Sequence, residues 1–323
     1  MPRSALVVSA DIHVSLALLD PGAADAPTSP THDLQEALAR LERAAPDDYY
    51  DPDADLLARD EYYHGLDLDS ADPAALYDAL SARLEASHER VLSYKAARLQ
   101  YLYPLVDLVR DGQRLFLRSL YSPHEYDDVE AFMRAEFAAT QTLEAAVADL
   151  RAQRRHLGDE ALARSLTALE ERAGFNCEHV VPRAWFSSKL PMVSDLHHLF
   201  TCEQQCNARR ASSPYTEFAG FPAPGDDEQC GESIGLHFEP RHRKAAAARA
   251  TLYFLVRYPG RVSRERYASE QLARLADWSA ADPPGEWERH RNAEIAHIQG
   301  VRNPFIDFPQ LAARVDVVRG LAD

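Results

Sequence analysis

Polar chemistry in this 323-residue chain is densest between positions 174 and 215. The stretch opens with Phe175-Asn176-Cys177-Glu178-His179-Val180-Val181-Pro182. It continues with Asp195-Leu196-His197-His198-Leu199 and then Cys206-Asn207-Ala208-Arg209-Arg210. Glu178 offers a carboxylate and Asn207 a side-chain carbonyl, the few hard oxygens that Mg²⁺ takes while it keeps most of its waters. His179 can act as a base on water. Arg209 and Arg210 can hold a phosphate. These types together make a kit for metal-assisted phosphodiester hydrolysis. One Glu-His pair is common by chance. Three His, a Glu, an Asn and two Arg within 33 residues point to a site. Adjacent side chains on a strand face opposite ways, so irregular backbone or a crossover would be needed for Glu178 and His179 to serve one point.

The elements that must carry this segment are mostly helical. Residues 1–20 alternate loosely and suggest a strand, and 21–31 a loop. Leu34, Leu38 and Leu41 fit a short helix over 33–43, followed by an acidic loop over 46–55. Asp72 can cap a helix that opens with Pro73 and lines up Leu76, Leu80 and Leu84. A helix is predicted over 94–108 and a strand over 113–121. Residues 128–172, rich in Ala, Leu, Glu and Arg, read as a solvated helical hairpin. Residues 174–215 are weak in helical period and read as irregular, 226–235 as a polar loop. Helices are predicted again over 241–258 and 286–299, and the Asn303-Pro304-Phe305-Ile306-Asp307 run is not expected to be helical throughout.

Composition narrows the class. With 46% apolar residues the chain can bury a substantial core, and no run approaches 18 apolar residues, so no membrane partner is expected. No secretory signal is evident near the start, which favours a cytoplasmic location. The net charge of −16 is uneven: residues 1–150 hold 12 Lys and Arg against 28 Asp and Glu, and residues 151–323 hold 23 of each. Such acidity opposes nucleic acid at long range. A local groove lined by Arg183, Lys189, Arg209, Arg210, Arg241, Arg243 and Lys244 would offset it. The four cysteines, Cys177, Cys202, Cys206 and Cys230, fall within one stretch, and spacing leaves disulfides, structural Zn²⁺ and free thiols open. At least three of the four are expected to cluster and brace the site.

The ordered motifs resemble the bacterial endonuclease I family, nonspecific nucleases of the ββα-metal (His-Me finger) superfamily. The resemblance rests on Asn-Cys-Glu-His-Val-Val-Pro from Asn176, Trp185, Asp195-Leu196-His197-His198-Leu199 and Asn207 with Arg210. It extends to Tyr62-Tyr63-His64-Gly65-Leu66 upstream. Downstream it takes in Ala248-Arg249-Ala250, Trp287-Glu288-Arg289 and Asn303-Pro304-Phe305-Ile306-Asp307. It implies an α+β, predominantly helical fold with a central ββα-metal finger at about 174–215. That finger would lie within a nuclease domain over 61–310, between an acidic extension, 1–60, and a tail, 311–323.

The same resemblance implies His179 as general base, with Arg210 as a second catalytic residue that steadies a phosphate or the loop of Asn207. Glu178 and Asn207 match the ligands of one Mg²⁺ (or Mn²⁺ or Ca²⁺). Arg183, Arg209 and Arg249 are candidate phosphate or DNA contacts, and Asp195, His197 and His198 candidate supports. The implied activity is sequence-nonspecific cleavage of DNA, with RNA as a further substrate and no statement of oligomeric state. A regulated or site-specific HNH-like effector nuclease and an inactive zinc-stapled nucleic-acid-binding module are the alternatives.

Overall fold

The computed structural model describes residues 30–44, 46–153, 174–221 and 230–322, with two isolated positions at 165 and 169. Expectations for residues 1–20 and most of 21–31 and 154–173 lie outside it. The described chain is α+β and mostly helical. Among the described residues no helix is long and apolar enough to cross a membrane.

Helices α1 (Pro30–Arg43), α2 (Pro52–Tyr62) and α3 (Pro73–Ser87) come first. Asp51 and Asp72 cap α2 and α3 through their carboxylates, each ahead of a proline that suits a first turn because it lacks the N–H. The acidic 46–55 stretch is therefore partly a helix start, which its Asp-Pro pair signals. Helix α4 runs over Tyr94–Ala96 and continues as a π-helix over Ala97–Val106 around Pro104, where the missing N–H breaks the ordinary ladder. Strands β1 (Val109–Asp111), β2 (Arg114–Arg118) and β3 (Glu125–Tyr126) form an antiparallel sheet in that order.

Helix α5 (Val129–Gln153) is not a solvated hairpin arm. Val129, Phe132, Met133 and Phe137 are buried in the main core. After β4 (Cys177–His179), β5 (Leu199–Thr201) and α6 (Gln204–Arg210) comes the hairpin of β6 (Gly231–Ile234) and β7 (His237–Pro240); its first strand takes 231–234 of the loop expected over 226–235, of which 226–229 lie outside the described residues.

Helix α7 (Lys244–Arg257) is buried at every residue from Ala245 to Val256, mostly apolar, with its buried charge Arg249 paired to Glu288. It packs between α3 and α8 (Ser269–Ala281). Gly320 lies on its Leu255 carbonyl, where an added Cβ would come within 2.2 Å. Helix α9 (Glu286–Gln299) ends at Gly300, and Asn303 caps the single-turn α10 (Pro304–Asp307). The chain closes with β9 (Leu321–Ala322) parallel to β8 (Val262–Ser263).

The expected divisions at 60 and 310 are not breaks in packing. Ala37 and Tyr49 on one side, and Leu311, Val317 and Leu321 on the other, belong to the same buried core as the centre of the chain. The Tyr49 hydroxyl donates to the Leu108 carbonyl at 2.7 Å, and Arg302 pairs with Asp55 at 2.7 Å.

Candidate active site

Three short elements hold the candidate residues Glu178, His179, Asn207 and Arg210. Strand β4 pairs antiparallel with β5, with Glu178 opposite Phe200 and His179 opposite Leu199, and α6 follows directly. The start of β4 is held from α5, where Glu136 Oε1 accepts both the backbone N–H (3.2 Å) and the amide Nδ2 (2.9 Å) of Asn176. The second oxygen of Glu136 pairs with buried Arg98 of α4 at 2.8 Å and accepts the Tyr103 hydroxyl at 3.0 Å. Buried Arg291 of α9 ion-pairs with Asp107 and donates to the carbonyls of Leu196 (3.1 Å) and Leu199 (2.8 Å). Asp107 in turn accepts the N–H of Thr201 in β5.

The long connection between the strands is clamped as firmly. Gln299, the last residue of α9, accepts the Leu196 N–H at 2.9 Å and donates to the Ser194 carbonyl at 3.1 Å. Asp195 accepts the hydroxyls of Tyr253 and Tyr258 at 2.8 Å each and caps the next turn through the His197 N–H. His197 bonds the Val301 carbonyl at 3.0 Å and His198 the Met192 carbonyl at 2.5 Å. Both histidines and Asp195 are buried and hold the backbone.

Glu178 and His179 sit on regular strand, without the irregular backbone or crossover expected of a shared point, and lead to different surroundings; what they share is the charge of Arg183, which acts on both. Glu178 is 1% exposed. Its Oε1 accepts the Tyr121 hydroxyl at 2.7 Å and pairs with Arg210 Nη1 at 3.0 Å. Burial raises its pKa to about 6, against the opposing pull of Arg210 and Tyr121. His179 lies against the rings of Tyr94, Phe186 and His198. Its Nε2 is 3.0 Å from the Val193 carbonyl. A carbonyl only accepts, so Nε2 carries the proton and Nδ1 holds the lone pair. Burial, with the charges of His198 and Arg183, holds this imidazole well below its ordinary pKa, so it is neutral near pH 7.

Helix α6 adds the remaining groups. Asn207 Nδ2 donates to the Cys177 carbonyl at 2.9 Å, which fixes this amide alongside β4, one residue from Glu178. Arg210 is 1% exposed and also donates to the carbonyls of His179 (3.1 Å) and Val180 (2.5 Å). It ties α6 to β4.

The arginines separate into two groups. Arg249 is not a phosphate contact: it is fully buried, pairs with Glu288 at 2.5 Å and donates to the carbonyls of Ser279 and Asp282 at 2.9 Å. The expected groove also loses Arg210 and Arg241 to burial, Arg243 to the Ser122 carbonyl (2.7 Å) and Lys244 to an ion pair with Glu239. Arg183 is half-buried, and its charge acts on both Glu178 and His179. Lys189 and Arg209 are exposed, and Arg209 also reaches the Gly231 carbonyl at 3.2 Å.

Of the three states that spacing leaves open for the cysteines, two occur. Cys206 and Cys230 form a disulfide, so four thiolates cannot converge on a metal. Cys177 and Cys202 are buried free thiols, and burial pushes Cys177 up to about 12. Among the described residues no three His, Cys, Asp or Glu side chains gather as a metal site. Sequence reasoning missed Tyr121, Tyr215 and Glu136. Glu136 was visible as a lone carboxylate among Phe132, Met133 and Phe137; nothing in the two tyrosines' spacing marked them.

Comparison with known proteins bears on the same region. The family described as Endonuclease I matches residues 124–310. An extracellular deoxyribonuclease of Aeromonas hydrophila is 28% identical over 156 residues, 40% of this chain and 64% of the relative. A periplasmic deoxyribonuclease of the same organism is 25% identical over 148 residues, 40% of this chain and 62% of the relative. A second extracellular deoxyribonuclease is 27% identical over 164 residues, 43% and 67%. The chain thus spans less than two thirds of the length of the first two relatives. These names overturn the cytoplasmic expectation, since they point to secretion. The Cys206–Cys230 bond agrees with an oxidising compartment.

Proposed function

The chain belongs to the endonuclease I family, and from that premise we propose that it is a secreted, sequence-nonspecific endonuclease that hydrolyses DNA with a single Mg²⁺. We read β4, β5 and α6 as its ββα-metal finger. The observation that carries this reading is the fixed tautomer of His179, whose Nε2–H is committed to Val193 so that Nδ1 presents a lone pair.

The donor set fits the ion. Glu178 supplies a carboxylate oxygen and Asn207 an amide oxygen, with its Nδ2 already engaged by Cys177. Two hard oxygens are what Mg²⁺ takes from protein when water and phosphate fill the rest. Thiolates would suit a softer metal, but Cys206 and Cys230 are bonded to each other. When bound, the ion would polarise the scissile phosphate and neutralise the departing oxygen.

The chain's own residues do the rest. His179 Nδ1 takes the proton of the attacking water. The Val193 carbonyl holds the ring in orientation and stabilises the imidazolium that forms. Arg183 lies where its charge reaches both Glu178 and His179, and it binds the phosphate. Arg209 and Lys189 extend the contact along the backbone. In this reading the contacts go to phosphates and none to a base edge, so no sequence preference is expected.

The test is supercoiled plasmid with Mg²⁺, with and without EDTA, beside single-stranded DNA and RNA. Metal-dependent nicking at many positions supports the reading. Cutting at one position favours a site-specific enzyme, and no cleavage of any substrate contradicts catalysis.

A further inference from the structure

Glu178 does not stand alone on its strand. Two groups converge on the same oxygen, Oε1: the Tyr121 hydroxyl at 2.7 Å and Arg210 Nη1 at 3.0 Å. Tyr121 follows β2, and Arg210 ends α6, so the two approach from separate elements. Behind Tyr121 stands the hydroxyl of Tyr215, also hydrogen-bonded to it. Tyr121 has one proton and gives it to Glu178. Tyr215 must therefore donate to Tyr121. The Arg210 guanidinium lies 4.9 Å from the centre of the Tyr215 ring, which closes the circuit. Tyr121, Tyr215 and Arg210 are each no more than 1% exposed.

We propose that Tyr121 is a positioning residue for metal binding, locking Oε1 of Glu178 so that the carboxylate offers its other oxygen to the ion in one fixed orientation. The proposal rests on the reading of Glu178 as a metal ligand. The physical reason is rotational. A glutamate has three side-chain torsions, and a carboxylate pinned by one oxygen loses its freedom before the ion arrives. Arg210 alone would leave the plane of the carboxylate free to turn about one contact. A second donor on the same oxygen, fixed by its own buried ring, removes that freedom. Partners that orient a ligand in this way typically matter by about 10–100-fold in metal affinity. Tyr215 contributes at one remove, by fixing the direction of the Tyr121 hydroxyl.

Phenylalanine keeps each ring in place, including the edge contact of Tyr121 with Phe238 at 5.2 Å, and removes only the hydroxyl. The experiment is Mn²⁺ binding by calorimetry, without DNA, to the full chain and to folded Tyr121→Phe, Tyr215→Phe and Glu178→Gln, each checked by thermal melting. Tyr121→Phe is expected to weaken Mn²⁺ by about 10–100-fold, and Tyr215→Phe to weaken it by a smaller factor. Glu178→Gln should lose the site. If Glu178→Gln loses binding while folded Tyr121→Phe keeps the parent affinity, the positioning role is overturned. If Tyr121→Phe does not fold, Tyr215→Phe decides, and parent affinity there overturns the role. If Glu178→Gln binds Mn²⁺ as the parent does, the ligand reading fails and the proposal falls with it.

Discussion

Arg210, which the sequence marks as steadying either a phosphate or the loop of Asn207, directs its contacts to the protein. Three N–H groups of its Nη1 and Nη2 go to Glu178 and to the carbonyls of His179 and Val180, so it faces β4. Removing a buried partner leaves the other charge uncompensated, which typically costs about 3–5 kcal/mol. Arg210→Met is therefore expected to lower stability by that amount, read as a shift in the denaturant midpoint. A lysine should not rescue it, because an ammonium cannot span a carboxylate and two carbonyls in one plane. A midpoint unchanged in Arg210→Met would show that the pair contributes nothing. The sequence singled out Glu178, His179 and Asn207 by residue type, and the fold places them on β4 and on the adjoining α6. The sequence could not disclose whether an arginine faces solvent or strand, since that depends on packing between distant elements.

At the scale of elements, what was legible followed period and punctuation. The helix from Pro73 announced itself through Asp72 and the Leu76-Leu80-Leu84 face, and α9 matched its predicted span of 286–299. The β6–β7 hairpin escaped because its strand residues include exposed Glu232 and Ser233 around Gly235, which read as a polar loop. Helix α5 was legible as a helix, but its burial was not, because its buried stripe is diluted by Ala and Glu over 25 residues. Its Glu136 holds the start of β4, and through Arg98 the same carboxylate holds α4. Glu136→Gln leaves Arg98 buried without its counter-charge, and a loss of about 3–5 kcal/mol is expected in chemical denaturation. The disulfide braces the other end. It links Cys206 on α6 to Cys230 across a separation of 24 residues, and closing a loop of that size is worth about 3 kcal/mol. The Cys206→Ser, Cys230→Ser double variant should lose that much, and an unchanged melting midpoint would refute the brace.

For the whole molecule, charge and buried histidines set the response to solution conditions. Burial lowers His197 from 6.5 to about 4. Above pH 6.5 the ring is neutral in both states and contributes nothing. Between 6.5 and 4 the unfolded chain takes up a proton that the folded chain refuses, so stability falls with pH by up to about 3 kcal/mol. His179 and His198 shift the same way and add to the loss. Glu178 acts oppositely: its pKa rises from 4.5 to about 6, and it offsets about 2 kcal/mol of the loss in metal-free protein. The denaturation midpoint without metal is expected to fall from pH 7 to pH 4.5; a flat profile would contradict this balance. The net charge of −16 opposes DNA at a distance, so the proposed binding would depend on the few cations near the site. If Arg183, Lys189 and Arg209 each neutralise one phosphate, affinity should drop about 40-fold between 50 and 200 mM salt. A salt-independent affinity would place the substrate elsewhere.

The central claim is that a neutral His179, held by Val193, takes the proton from water beside a metal held by Glu178 and Asn207. The most direct measurement is the initial rate of plasmid nicking in Mg²⁺ by the parent and by His179→Ala, with DNA affinity measured on the same preparations and folding checked by melting. The account predicts a rate lower by about 10²–10⁴-fold in the variant, with affinity within a few-fold of the parent. A folded His179→Ala that nicks plasmid at the parent rate would contradict it.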